Sequence, residues 1–164
     1  MSLLDDVSIV VTPNGYKAGE LYAVVPAPTE GSELLTNGDF ASDLTGWTGY
    51  GTRSATGGIA TIGASANSGI YQGILTKGFT YTVTVNVTSY DGVGTAELTN
   101  NNGNNLYTIT ETGIQTFTYT HNIALGQIIV RGMSNALFSV SNVTVEEVNT
   151  GLQGYWKMGD GTND

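Results

Sequence analysis

The chain has no cysteine, one histidine and only three prolines in 164 residues. Without thiols, disulfide scaffolds, thiolate zinc sites and cysteine nucleophiles are excluded. The lone histidine is His121, so a His-rich metal site is impossible and any Ser-His-Asp triad would have to use it. Charge is scarce: Asp, Glu, Lys and Arg make up 12%, roughly half of the ~25% usual in soluble domains. Fourteen acidic residues against five basic ones leave a net charge of −9. Such a chain lacks the basic stripe that nucleic acid demands and the polybasic patch that anchors to anionic lipid. No apolar run approaches the ~18 residues that span a bilayer, so neither nucleic-acid binding nor membrane insertion is expected. Met1–Asp6 has no basic region and no long apolar core, which argues against a signal peptide.

What fills the composition is glycine, 23 copies, and threonine, 24 copies. Threonine favours strands and glycine punctuates turns, so the expectation is an all-β, turn-rich protein. The chain divides into three parts. Residues 1–33 form a leader with two short β-rich runs, 7–12 and 21–25, turned at Pro13-Asn14-Gly15 and followed by an extended spacer from Pro26 to Gly31. Two such strands cannot bury much alone, so the leader reads as an arm that pairs with something else. Its contact residues are expected to be Leu3, Leu4, Val7, Ile9, Val11, Tyr16, Leu21, Tyr22 and Val24. Residues 34–148 read as a β domain, and 149–164 as a linker or the start of a further domain.

In the β domain the clearest strand is 79–88. Phe79, Tyr81, Val83, Val85 and Val87 alternate with Thr80, Thr82, Thr84, Asn86 and Thr88, so one face is packed and the other polar. Shorter runs follow at 95–98, 106–109, 116–119 and 127–130, and the last covers 138–145, where the alternation slips at Ser141-Asn142 and predicts a β-bulge. Turn signals fall at Asp91-Gly92, Asn102-Gly103 and Arg131-Gly132. Many short strands at this spacing predict an antiparallel jelly-roll β-sandwich.

Leu34-Leu35-Thr36-Asn37-Gly38-Asp39-Phe40, followed by Leu44-Thr45-Gly46-Trp47, resembles the opening of the jelly-roll carbohydrate-binding modules associated with xylanases. Gly78 to Val83 and Phe138 to Val145 resemble the family's glycine-then-aromatic strand and its closing strand. The resemblance spans about residues 34–148. It implies a sugar laid against aromatics on a concave face, with Tyr71, Gln72 and Tyr107 as candidate glycan contacts, while Phe40, Trp47, Phe79 and Tyr81 belong to the core. Where the family carries acids that serve a structural calcium, this chain has Ala41 and Ser141, so no metal is expected.

The leader carries a second resemblance. Ser2 to Asp5, Val11 to Lys17 and Gly19 to Pro26 are similar to the leader of large bacteriophage virion proteins. The tail Gly154 to Gly161 is similar to the start of a laminin-G-like domain. These resemblances imply a structural virion protein, a head or tail fibre or appendage subunit. Residues 1–33 would dock it to other virion proteins of the capsid or tail. A homotrimer and contact with a host surface glycan are expected of it. The alternative is a non-catalytic carbohydrate-binding module of a bacterial glycan-degrading enzyme.

No catalytic set emerges, and no enzyme or cofactor is expected. Gly57 to Gly63 lacks the Lys-Ser/Thr of a phosphate loop. Asn100 to Asn105 reads as a hairpin loop. The sequon-like Asn86-Val87-Thr88 and Asn142-Val143-Thr144 fall within strands. The adjacent acids Asp5-Asp6 and Glu146-Glu147 would point to opposite sides of a strand rather than form a dyad.

Overall fold

The structure is a computed structural model, and it describes residues 29–100 and 104–149. The arm residues Leu3 to Val24, the two leader strands, Asn102-Gly103 and the tail from residue 150 lie outside the described residues. Among the described residues eleven strands follow in chain order: β1 Thr29–Glu33, β2 Thr48–Tyr50, β3 Thr52–Thr56, β4 Ile59–Gly63, β5 Asn67–Gly73, β6 Thr80–Tyr90, β7 Thr95–Thr99, β8 Asn105–Ile109, β9 Gly113–Thr120, β10 Gln127–Met133 and β11 Phe138–Asn149. They form two sheets. One has the order β3-β4-β11-β6-β9, with β1 also on β11; the other runs β2-β5-β10-β7-β8.

From β4 onward the strands distribute as β4-β11-β6-β9 and β5-β10-β7-β8, the interleaved arrangement of a jelly roll. The expected all-β antiparallel sandwich is therefore the fold. Its core comes from period-two alternation. Tyr81, Val83, Val85 and Val87 of β6 and Val143 and Val145 of β11 meet Ile70, Leu98, Ile128 and Val130 of the other sheet. All ten are essentially inaccessible to water. The register of β11 against β6 shifts on either side of Val140, so the bulge is present where the alternation slips.

The loop that carries the opening motif is built around Asn37. Its side-chain amide donates to the carbonyls of Asp43 (2.9 Å) and Thr45 (3.0 Å), and its Oδ1 accepts from the Ala41 N–H (3.1 Å). The Trp47 indole donates to the Asn37 carbonyl (2.9 Å), and the ring tilts onto buried Phe40 at 5.4 Å. Gly38 is there because β11 passes against it: a Cβ would lie 2.2 Å from the Val143 carbonyl oxygen. The motif is thus a packing device, with Phe40, Trp47 and Tyr81 buried as expected.

Three expectations fail. Phe79 is 44% exposed rather than core. β6 begins at Thr80, and Phe79 sits on the preceding turn, where its N–H reaches back to the Thr76 carbonyl. Arg131-Gly132 is no turn but lies inside β10; the turn falls at Ser134 and Asn135, both with positive φ. Residues 29–33, read as spacer and leader, form a strand on β11. There Glu33 Oε1 accepts from the N–H groups of Leu35 and Val145. The hairpin of β3 and β4, turned at Gly57-Gly58, has little apolar alternation and was not anticipated.

Past the end of β9, His121 is fully buried. Its Nδ1 shares a 2.9 Å hydrogen bond with the Tyr119 hydroxyl, which also accepts from the Asn100 amide. Nε2 has no hydrogen-bond partner among the described residues. Burial pushes the imidazole below its ordinary value; the backbone at Leu125 and Ile123 counters this without forming a well-aligned bond to Nε2.

Candidate functional site

The outward rows of the five-stranded sheet follow from its register. One row crosses all five strands as Tyr50, Gly69, Arg131, Glu97 and Thr108. The next carries Thr48, Tyr71, Ile129, Thr99 and Asn105. The intervening row, Gly49, Ile70, Val130, Leu98 and Tyr107, points into the core. Side chains two residues apart share a face, so Tyr50, Tyr71, Arg131 and Glu97 stand together on the outside.

The centre of this face is the ion pair of Arg131 and Glu97. Nε donates to Glu97 Oε1 at 2.9 Å, and Nη2 donates to the same oxygen. The Glu97 side chain is only 4% exposed and that of Arg131 17%, so the pair is largely out of water. Nη1 of Arg131 has no hydrogen-bond partner among the described residues. Beside the pair, Tyr50 lies down over Gly69: a Cβ on that glycine would meet the phenol oxygen at 2.7 Å. Burial pushes the Tyr50 phenol above its ordinary value; Arg131 pulls it back, while Glu97 and Tyr71 reinforce the rise.

Of the three candidate glycan contacts, only Tyr71 is brought to this face, where it is partly exposed. Gln72 points inward opposite Ile128. Its amide clasps the backbone of Thr36, accepting from the N–H (3.1 Å) and donating to the carbonyl (2.7 Å). Tyr107 also faces the core and stacks on Phe117 of the opposite sheet, centroids 5.0 Å apart. Adjacent strand residues face opposite ways, so Tyr71 and Gln72 could never share a surface. Tyr50, Glu97 and Arg131 were missed. A usable signal existed: Glu97 and Arg131 are charges in the middle of strand-forming runs of a chain with few charges. Gly132 disguised Arg131 as a turn residue.

Chemically the face offers two phenol rings and a guanidinium–carboxylate pair at their side. Rings give apolar area with a polar tip, and the planar fork gives directed hydrogen bonds. At Ala41 and Ser141, where the resemblance drawn from the sequence would place acids, the chain offers no carboxylate. The Asp43 and Thr45 carbonyls already accept from Asn37, Ala41 contributes no oxygen side chain, and Ser141 Oγ accepts from the Asn86 amide (2.9 Å). Among the described residues no group of three or more acidic, His or Cys side chains is placed to hold a metal.

The fold and this face define a jelly-roll β-sandwich with an aromatic, ion-paired outer sheet. No protein-family model matches the chain, and no curated protein does. Among solved structures it is similar to the CBM22-1 xylan-binding domain of Xyn10C from Paenibacillus barcinonensis. That match has 14% identity and a TM-score of 0.47, over 76% of this chain and all of that one. It is also similar to the tandem CBM22-1-CBM22-2 domain of the same protein, with 13% identity and a TM-score of 0.47, over 82% of this chain and half of the other.

Proposed function

We propose that the outer face of the five-stranded sheet binds a neutral glycan chain. The observation that carries this is the meeting of Tyr50, Tyr71 and the Arg131–Glu97 pair on one surface. A pyranose presents a C–H face bordered by hydroxyls. Phenol rings take the first, and a guanidinium with a carboxylate takes the second, donating and accepting in one place. The pair is charge-neutral as a unit, and a chain of net charge −9 repels polyanions, so an uncharged polysaccharide fits better than a uronate-rich one. Binding without turnover fits the face, whose carboxylate is held by the guanidinium.

The test is calorimetric titration with soluble xylan and a panel of neutral and acidic oligosaccharides. Tyr71→Ala should lower affinity for the preferred neutral ligand by about tenfold or more with the melting temperature nearly unchanged, as loss of an aromatic contact at a binding centre does. Equal binding by wild type and variant, or no binding to any glycan, refutes the assignment.

The first 26 residues favour a second reading of where this module works. Their likeness to virion leaders supports a place on a bacteriophage head or tail appendage, held as a trimer by residues 1–33, with a host surface glycan as ligand. Deleting residues 2–25 should then leave the sandwich folded and strip it from particles.

A further inference from the structure

Among the described residues the sandwich guards its open strand edges unequally. In the five-stranded sheet β2 is three residues long, and β8 is five residues long with a register shift against β7. In the six-stranded sheet β3 is five residues long and carries Arg53, and β1 carries Glu30 and Glu33. Short length, charge and irregularity are the usual means of keeping other strands away. β9 uses none of them. Its eight residues, Gly-Ile-Gln-Thr-Phe-Thr-Tyr-Thr, hold no charge and no proline, and they pair with β6 without a register shift from Thr80 to Val87. Ile114 on this strand is 74% exposed, and Phe117 and Tyr119 are only partly buried.

We propose that β9 pairs edge to edge with β9 of a second copy of this chain, joining two six-stranded sheets across a two-fold axis. The partner β9 already has shows what its other edge accepts. β6 alternates threonine with apolar residues from Thr80 to Val85, and so does β9 from Thr116 to Thr120. Across that ladder the hydroxyls of Thr80 and Thr120, and of Thr84 and Thr116, bond at 2.9 Å. Within the described residues these two strands carry the pattern most clearly. β6 is paired on both sides, by β11 and β9, which leaves β9 of another copy as the matching strand.

Symmetry is compatible with this. Backbone groups point to the free edge at every second residue, so antiparallel self-pairing sets one residue opposite its own copy. Centring on Phe117 uses nearly the whole strand. It sets Thr116 against Thr118 of the second copy, repeating the threonine pairs already made with β6. The flanking Glu111 then falls opposite Ile123 rather than another acid, so the net charge of each copy is not concentrated at the seam.

The experiment is sedimentation equilibrium of the full chain over a wide concentration range, beside Thr116→Lys/Thr118→Lys. These are exposed outer-face positions, where lysines would oppose one another across the axis. Wild type should reach a higher mass than the variant, twice that mass where β9 pairing is the sole association. Equal masses at every concentration overturn the proposal. Because the chain has no cysteine, Thr118→Cys takes a single spin label and guards against a lysine variant that does not fold. Spectral broadening between labels should appear with the doubling of mass; an isolated-label spectrum in the doubled species overturns the proposal.

Discussion

On the outer face of the six-stranded sheet Thr80, Thr82 and Thr84 of β6 stand beside Thr116, Thr118 and Thr120 of β9, uncharged across these two strands, while β11 adds Glu146 opposite Thr82. The outer rows of the five-stranded sheet carry Tyr50, Tyr71, Arg131 and Glu97. Both sheets rest on one core of valine, isoleucine and leucine. The threonine face is what a β-sheet makes when only pairing matters: branched side chains that suit the strand, with hydroxyls that bond across it. The other face takes a carboxylate and a guanidinium largely out of water, although such a pair adds little stability over an apolar one. That contrast is the reason recognition is proposed for the five-stranded sheet and strand pairing for the six-stranded one.

The largest effect should come from the layer between the faces. Val83→Asp places a charge where the side chain is fully buried, and more than about 4 kcal/mol should be lost. Chemical denaturation measures it; an unchanged midpoint would mean that β6 does not face the core.

A middle effect separates the two faces. Glu97→Ala strips Arg131 of its partner and should cost about 2–3 kcal/mol, whereas Thr84→Ala removes one exposed threonine pair and should cost less than about 1 kcal/mol. If thermal denaturation finds the two equal, the faces do not differ as described.

The smallest effect is in pH. The His121 imidazole is held below its ordinary value, so the folded state prefers it neutral. Its contribution is fully present above pH 6.5, the unfolded value, and is lost as the pH falls through 6.5 toward the lower folded value. The melting temperature should therefore decline between pH 7.5 and 5.5, and His121→Gln should flatten that slope. Identical slopes in the two proteins would show that other groups govern it.

The sandwich itself was legible, because β6 alternates from Tyr81 to Val87 and in β11 even the bulge leaves its mark at Ser141-Asn142. The hairpin of β3 and β4 was not. Its residues, TRSAT and IATIG, are small and polar enough that strand and loop look alike. The face was half legible for a different reason. Tyr71 advertises itself, but Gln72 and Tyr107 were attached to it by residue type, and the pleat turns both inward. Which aromatics share a surface depends on the register between strands distant in sequence, and no local pattern encodes that.

Asn37 has one more consequence. The fourteen-residue segment between β1 and β2 is fastened in part by one neutral amide, through bonds to Ala41, Asp43 and Thr45. That fastener does not titrate in the physiological range, carries no thiol to be reduced, and needs no ion from the surroundings. The same clasp works in a reducing cytoplasm, in seawater or in a medium stripped of divalent cations; what acid removes from this loop is instead the Asp43 carboxylate, which accepts from the Thr45 N–H at 2.7 Å and is held below its ordinary value by its bonds to Thr45.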